Sequence, residues 1–138
     1  KKGSVVPVPT EETEPFEITG SGRITDILAR LETMPNFRTS VLADSQGLQI
    51  AGVGSAEYQE EMAALSGVAE TLANRVTEML PFDRINRVHI HDTNELVLSC
   101  RFFTLHSEGY VLSSMSGQSP LPRDAENAVV EALERTLG

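Results

Sequence analysis

The sequence predicts an α/β fold, a three-layer α/β/α sandwich in which helices cover both faces of one antiparallel sheet. Apolar residues recur every three or four positions in three segments, which is the pattern of amphipathic helices. Three short polar turns join neighbouring segments rich in aliphatic and β-branched residues, as in antiparallel hairpins. The segment 96–103 is apolar on both alternating faces, so helices are expected on both sides of the sheet.

The elements are predicted in the order helix, two strands, helix, three strands, helix. Residues 1–20, rich in proline and glutamate, are predicted to be a tail or linker before a domain at 21–138. The predicted ranges are helix 21–34, strands 37–43 and 48–53, helix 56–80, strands 85–91, 95–104 and 110–116, and helix 122–137.

The stretch A-D-S-Q-G-L-Q-I-A-G-V-G-S, residues 43–55, ends in glycines before a helix, as phosphate-binding loops do. Glu57 occupies the position where a dinucleotide-binding motif needs its third glycine, and a P-loop lysine is missing. Asp44–Gly47 is therefore predicted to be a hairpin turn. Gly52–Ser55 is predicted to lead into the helix, with Ser55 as its N-cap.

The long helix has two contrasting faces. One carries a stripe that is predicted to face the core, namely Met62, Leu65, Ala69, Leu72, Val76 and Met79. The other carries small or polar residues, Ala63, Gly67, Glu70 and Asn74. Small side chains let a second helix approach closely, so this face is predicted to be a dimer or partner seam. The alternative interpretation is that these alanine and glycine residues are ordinary solvent-exposed surface without a partner.

Charge and composition exclude several classes of partner. The formal net charge of −9 repels phosphate backbones and anionic lipid, so neither nucleic acid nor membrane insertion is expected. No apolar run approaches the roughly 18 residues of a membrane-spanning helix. The single cysteine, Cys100, rules out an internal disulfide and favours a cytoplasmic protein. All nine arginines lie beyond residue 20 and form no cluster in the sequence.

No pattern of catalytic residues stands out. Ser99, Ser113 and Ser114 lie within strands without a recognisable base, and Cys100 lies in the most apolar strand. His89 and His91 share one face of a strand, but a third metal ligand at useful spacing is missing. We therefore expect no catalytic residue, no metal and no cofactor.

Three runs resemble a Roadblock domain of the dynein light chain roadblock family, in its bacterial or archaeal form. They are T-S-V-L-A-D-S-Q-G-L-Q-I-A-G-V, the Ala-rich M-A-A-L-S-G-V-A-E-T-L-A-N-R-V, and V-H-I-H-D-T-N-E-L-V-L-S-C, and the resemblance spans 22–138. It implies a five-stranded antiparallel sheet in the order 2-1-5-4-3, with the second helix on one face and the other two helices opposite. It also implies a dimer built by pairing third strands and packing second helices.

The resemblance further implies a non-catalytic dimerisation and adaptor domain that regulates a small Ras-like GTPase. The expected interface combines the small face of the second helix with the third strand, Arg87, Val88, His89, Ile90 and His91. Two alternatives remain open, a structural scaffold without a GTPase partner and a small-molecule sensor domain. A sensor domain predicts a sizeable apolar pocket, whereas a dimer seam predicts a helix pair.

Overall fold

The structure, a computed structural model, describes residues 20–138. The predicted tail lies outside these residues, apart from Gly20. The elements are α1 (Gly20–Leu28), a 3-10 helix (Ala29–Thr33), β1 (Phe37–Asp44), β2 (Gln49–Gly54), α2 (Gln59–Met79), β3 (Arg87–His91), β4 (Leu96–Leu105), β5 (Glu108–Gly117) and α3 (Arg123–Leu137). The strands form one antiparallel sheet in the order β2-β1-β5-β4-β3, which confirms the predicted fold and topology.

Two separate cores make the three layers. The larger core lies between the sheet and the pair α1 and α3, where Leu28, Leu42, Leu112 and Leu133 are completely buried. The smaller core lies on the other face, where Met62 of α2 packs with residues of β1. Both faces of the sheet are therefore covered, as the two-sided apolar pattern of β4 predicts.

Two of the three hairpin turns in the described sheet, β1–β2 and β3–β4, are built on aspartate side chains. The Asp44 Oδ1 atom accepts hydrogen bonds from the backbone N–H groups of Gln46 (2.9 Å) and Leu48 (3.0 Å). Gly47 has a φ of 86°, the left-handed conformation that glycine adopts without a steric cost. Asp92 makes the same pair of hydrogen bonds in the β3–β4 turn. Asp44–Gly47 is thus a hairpin turn, as predicted.

The start of α2 differs from the prediction. The helix begins at Gln59, after Tyr58 in a left-handed conformation, and no side chain caps it. Ser55, the predicted N-cap, remains attached to the sheet, because its N–H donates to the Arg38 carbonyl and its carbonyl accepts from the Thr39 hydroxyl. Backbone pairing with β1 therefore continues past β2 and delays the helix.

The predicted orientation of α2 is wrong for three of the six residues in its predicted core stripe. The buried residues of the helix are Met62, Ala63, Ser66, Ala69 and Ala73. Leu65, Leu72 and Met79 are instead 48%, 54% and 74% exposed. The small side chains let the helix lie close to the sheet, where the Ser66 and Ser113 hydroxyls are hydrogen-bonded at 2.5 Å.

Gly67 faces the β1–β2 turn rather than solvent. A Cβ atom built at Gly67 lies 3.5 Å from the Gly47 nitrogen and 3.6 Å from the Gln46 carbonyl carbon. These are ordinary van der Waals distances, so this glycine supplies a close helix–turn contact.

A buried ionic contact attaches β3 to α3. The Arg87 Nε atom donates to Glu126 Oε1 at 2.7 Å, and its Nη2 atom donates to Asn127 Oδ1 at 2.9 Å. Arg101 of β4 lies nearby, with its Nε atom 3.9 Å from the same carboxylate oxygen. Glu126 is only 4% exposed, and burial lowers the pKa of Arg101 from its usual value. One carboxylate therefore faces two largely buried guanidinium groups.

Replacing Gly54 by alanine should destabilise the protein. Gly54 has a φ of 88°, and a Cβ atom there clashes with the Arg38 carbonyl oxygen and lies 2.9 Å from the Thr39 Cα. We expect Gly54→Ala to lower the free energy of unfolding by about 2–4 kcal/mol. Gly67→Ala is the control and should raise it by up to about 1 kcal/mol, because it removes a glycine from a helix. Urea unfolding at one protein concentration measures both, and equal midpoints would contradict the prediction.

Removing the Glu126 carboxylate should cost about 3–5 kcal/mol of unfolding free energy, because two largely buried guanidinium groups lose their counter-charge. The test is urea unfolding of Glu126→Ala. Glu131→Ala, an exposed position on the same helix, should stay within about 0.5 kcal/mol of the parent chain. A Glu126→Ala midpoint equal to that of Glu131→Ala would show that the contact contributes no stability.

Candidate partner-binding surface

One flank of α2 presents large apolar side chains to solvent. Leu65, Val68, Leu72 and Met79 are each about half exposed or more. Their spacing of three, four and seven residues places them along one side of the helix, as in helices that pair with a second helix. We call these four residues the α2 apolar flank. Contiguous exposed apolar side chains of this kind are a feature of protein–protein contacts.

β3 is an edge strand beside this helix. It pairs with β4 on one side, and no strand within residues 20–138 pairs with its other side. Val88 packs against the cluster that contains Ala69 of α2, so this face of β3 is on the same side of the sheet as the helix. Ile90 shares that face and is 53% exposed. The open edge of β3 and the α2 apolar flank together form the candidate partner-binding surface.

The other face of β3 is polar. Arg87, His89 and His91 alternate along it, and the two imidazole rings lie 6.3 Å apart, edge to face. Partial burial lowers the pKa of His89, which the nearby Glu126 carboxylate opposes. His91, Arg87 and Arg123 add repulsion that lowers this pKa further. The described residues contain no group of three or more side chains that could hold a metal ion.

The predicted interface residues do not all lie together. The five residues of β3 lie on the open edge, as predicted. Ala63 is buried against the sheet and Gly67 faces a turn, so the prediction that both point outward is wrong.

Glu70 and Asn74 lie on the opposite flank of α2. They line a cavity of about 200 Å³ with Arg84 and Phe102. Burial raises the pKa of the Glu70 carboxyl group. The structure therefore separates these two residues from the apolar flank, and any contact they make belongs to a different part of the helix surface.

Sequence reasoning missed the α2 apolar flank because it assigned the largest side chains to the core. A second stripe was available in the sequence, at a similar helical spacing but composed of small residues, Ala63, Ser66, Ala69 and Ala73. A helix with one small and one large apolar stripe presents two contact faces. The stripe of small side chains lets the helix approach the sheet more closely than the stripe of large side chains would.

The nucleophile candidates lack a base. Ser113 contacts the Ser66 hydroxyl and the Cys100 thiol, both buried, and burial raises the pKa of that thiol. Ser114 is hydrogen-bonded to Ser40 at 2.6 Å on the opposite face of the sheet. Within residues 23–138 no histidine or carboxylate is hydrogen-bonded to any of these groups. These contacts are structural.

Comparison with known proteins identifies the fold. No protein-family model and no curated protein matches the sequence. The gliding protein MglB of Thermus thermophilus superposes with a TM-score of 0.69 at 16% identity, covering 90% of this chain and 97% of that one. An MglB structure with a tetrameric arrangement gives 0.67 at 17% identity, with 90% and 96% covered. A Roadblock/LC7 domain from Streptomyces avermitilis gives 0.64 at 15% identity, with 82% and 93% covered.

No helix in residues 20–138 has the length and apolar character needed to cross a bilayer. The sheet order, the helix on one face and the two helices opposite agree with the three structural neighbours over most of the chain. The chain therefore has the Roadblock/LC7 fold.

Proposed function

We propose that this chain is a non-catalytic, cytoplasmic dimerisation and adaptor domain that regulates a small Ras-like GTPase. The observation that carries the proposal is the α2 apolar flank beside the open edge of β3. The Roadblock resemblance of the sequence supports the GTPase as partner, and the MglB neighbours, one of them in a tetrameric arrangement, support self-association.

In the proposed homodimer, the β3 strands of two copies pair antiparallel and extend the sheet across a twofold axis. Pairing satisfies the open backbone groups of both edges. Each α2 apolar flank is then covered by the flank of the partner. Full burial of each large aliphatic side chain contributes about 1.5–3 kcal/mol, which has to exceed the entropy cost of association.

The dimer would act as a platform on which a GTPase switch segment is held in one conformation. An effector changes the balance between two conformations only through its different affinity for them. Glu70 and Asn74, on the opposite flank of α2, remain candidate contacts for this second partner.

The two alternatives make different predictions. A sensor domain requires a sizeable apolar pocket, of about 300–1,000 Å³. The partly apolar cavity beside Glu70 holds about 200 Å³, and a larger groove of about 480 Å³ is lined mainly by charged side chains. A scaffold without a GTPase has the same dimer, so only a partner experiment distinguishes it.

The partner experiment is recovery of binding proteins by the full chain from its native cell, in the presence of GDP or of a GTP analogue. The proposal expects one small GTPase to be retained in one nucleotide state in preference to the other. Retention of other proteins, with no GTPase in either state, would favour the scaffold and contradict the proposal.

Placing a charge on the α2 apolar flank should break the dimer without unfolding the monomer. Leu72→Asp puts a carboxylate into the seam of both copies, and we expect self-association to weaken about 100-fold or more. The monomer should keep its fold, because Leu72 is 54% exposed. Sedimentation equilibrium measures the association, and circular dichroism measures the fold.

Asn74→Asp is the matched control, since it adds the same charge to the opposite, exposed flank of α2. It should leave the dimer intact. A Leu72→Asp chain that is as dimeric as Asn74→Asp would exclude the α2 apolar flank from the dimer seam.

Acid should weaken both the dimer and the folded chain through His89 of β3. The pKa of His89 is lowered in the folded chain, so the unfolded chain takes up a proton first as the pH falls below about 6.5. The free energy of unfolding therefore declines as the pH falls from about 6.5 to the lowered pKa of His89. Protonation also places like charges near the proposed twofold axis.

The measurement is sedimentation and urea unfolding at about pH 8 and about pH 5. The control is the double variant His89→Asn with His91→Asn, which should lose most of the difference between the two conditions. An association constant that is equal at both pH values in the parent chain would remove the histidines from the interface.

A further inference from the structure

A groove between α1 and α3 gathers three of the nine arginines. It has a volume of about 480 Å³ and lies on the face of the sheet opposite α2. Its rim carries Arg23, Asp26, Arg30 and Arg135, and its floor is formed by the buried residues Ile27 and Ala132. We call this feature the Arg groove. Arginines that are scattered in the sequence are grouped here by the fold.

The charges of the Arg groove are not balanced within the described residues. Three guanidinium groups face one carboxylate, Asp26, and none of the three forms an ion pair within residues 23–138. The largely buried arginines of β3 and β4 differ, because Glu126 accompanies both of them. A positive groove in a chain with a net charge of −9 therefore has no anionic partner among the side chains of residues 23–138.

Guanidinium groups bind carboxylates through paired, charge-assisted hydrogen bonds. The same chain contains the segment E-E-T-E-P-F-E at 11–17, with four glutamates and no basic residue. The segment ends three residues before α1, the helix that supplies one wall of the groove.

The chain between the acidic segment and α1 is long enough for the segment to reach the Arg groove. Glu11 lies nine positions before Gly20, and nine residue steps can extend over about 30 Å. The nine residues of α1 span only about 13 Å.

We propose that the Arg groove binds the carboxylates of this acidic segment, residues 11–17 of the same chain. The groove is an interaction surface for acidic peptide, and its own segment occupies it at a high effective concentration. An acidic segment of another protein would have to compete for the groove. The inference is independent of the proposed GTPase role, because the Arg groove and the α2 apolar flank lie on opposite faces of the sheet.

The test is paramagnetic relaxation in the full chain. A spin label is attached to the variant Thr13→Cys; the native thiol of Cys100 is buried and has a raised pKa, so it stays unlabelled. We expect the label to broaden the amide signals of Arg30 and Arg135. Signals from Leu48 and Val68, which belong to the α2 side of the molecule, should stay sharp.

A groove variant carries three substitutions, Arg23→Gln, Arg30→Gln and Arg135→Gln. It should lower the ratio of docked to undocked acidic segment about tenfold, as expected for the loss of three exposed ion pairs. The matched control is Arg38→Gln, Arg84→Gln and Arg123→Gln, which removes the same charge outside the groove. The control variant should keep the broadening. The broadening should also decline in about 1 M NaCl, where the Debye length is about 3 Å.

Three results would overturn the proposal. One is broadening of Arg30 and Arg135 that persists in the groove variant or declines equally in the matched control. Another is broadening that appears only when the label and the observed nuclei are on different chains. The third is loss of broadening in inorganic phosphate but not in NaCl of equal ionic strength, which would identify a site for free anions.

Discussion

α2 packs against the sheet through small side chains, and this contact determines which side chains of α2 are exposed to solvent. Ala63, Ser66, Ala69 and Ala73 allow an approach close enough for the Ser66 and Ser113 hydroxyls to be hydrogen-bonded between helix and sheet. Larger residues on this stripe would hold the helix away from the sheet. Because the helix has only one buried stripe, the large apolar side chains of Leu65, Val68, Leu72 and Met79 are left on an exposed flank.

The edge strand β3 is held on one side only. Arg87 attaches it to α3 through Glu126 and Asn127, while its second backbone edge meets no strand within residues 20–138. The buried ionic contact fixes the position of an edge that is open to pairing. The polar face with the two histidines and the apolar face with Val88 and Ile90 are therefore held in a fixed position at the exposed edge of the sheet.

Charge is distributed unevenly over the molecule. An acidic chain normally repels anions along its whole surface, yet the crossing of α1 and α3 places three arginines at one groove. Arg23 of α1 and Arg30 of the 3-10 helix that follows it approach Arg135 because both segments pack with α3 on the same face of the sheet. The basic groove and the apolar flank of α2 consequently lie on opposite faces, so partners at the two surfaces need not exclude each other.

The sequence alone determined the order of the elements, the hairpin at Asp44–Gly47 and the sheet sandwiched between helices. These features depend on local periodicity and turn chemistry, which neighbouring residues specify. The orientation of α2, the start of that helix beyond Ser55 and the grouping of the arginines were decided only by tertiary structure. The local sequence does not distinguish between the two apolar stripes of α2, because both have helical spacing. Only the shape of the sheet beneath the helix selects the stripe of small side chains for burial.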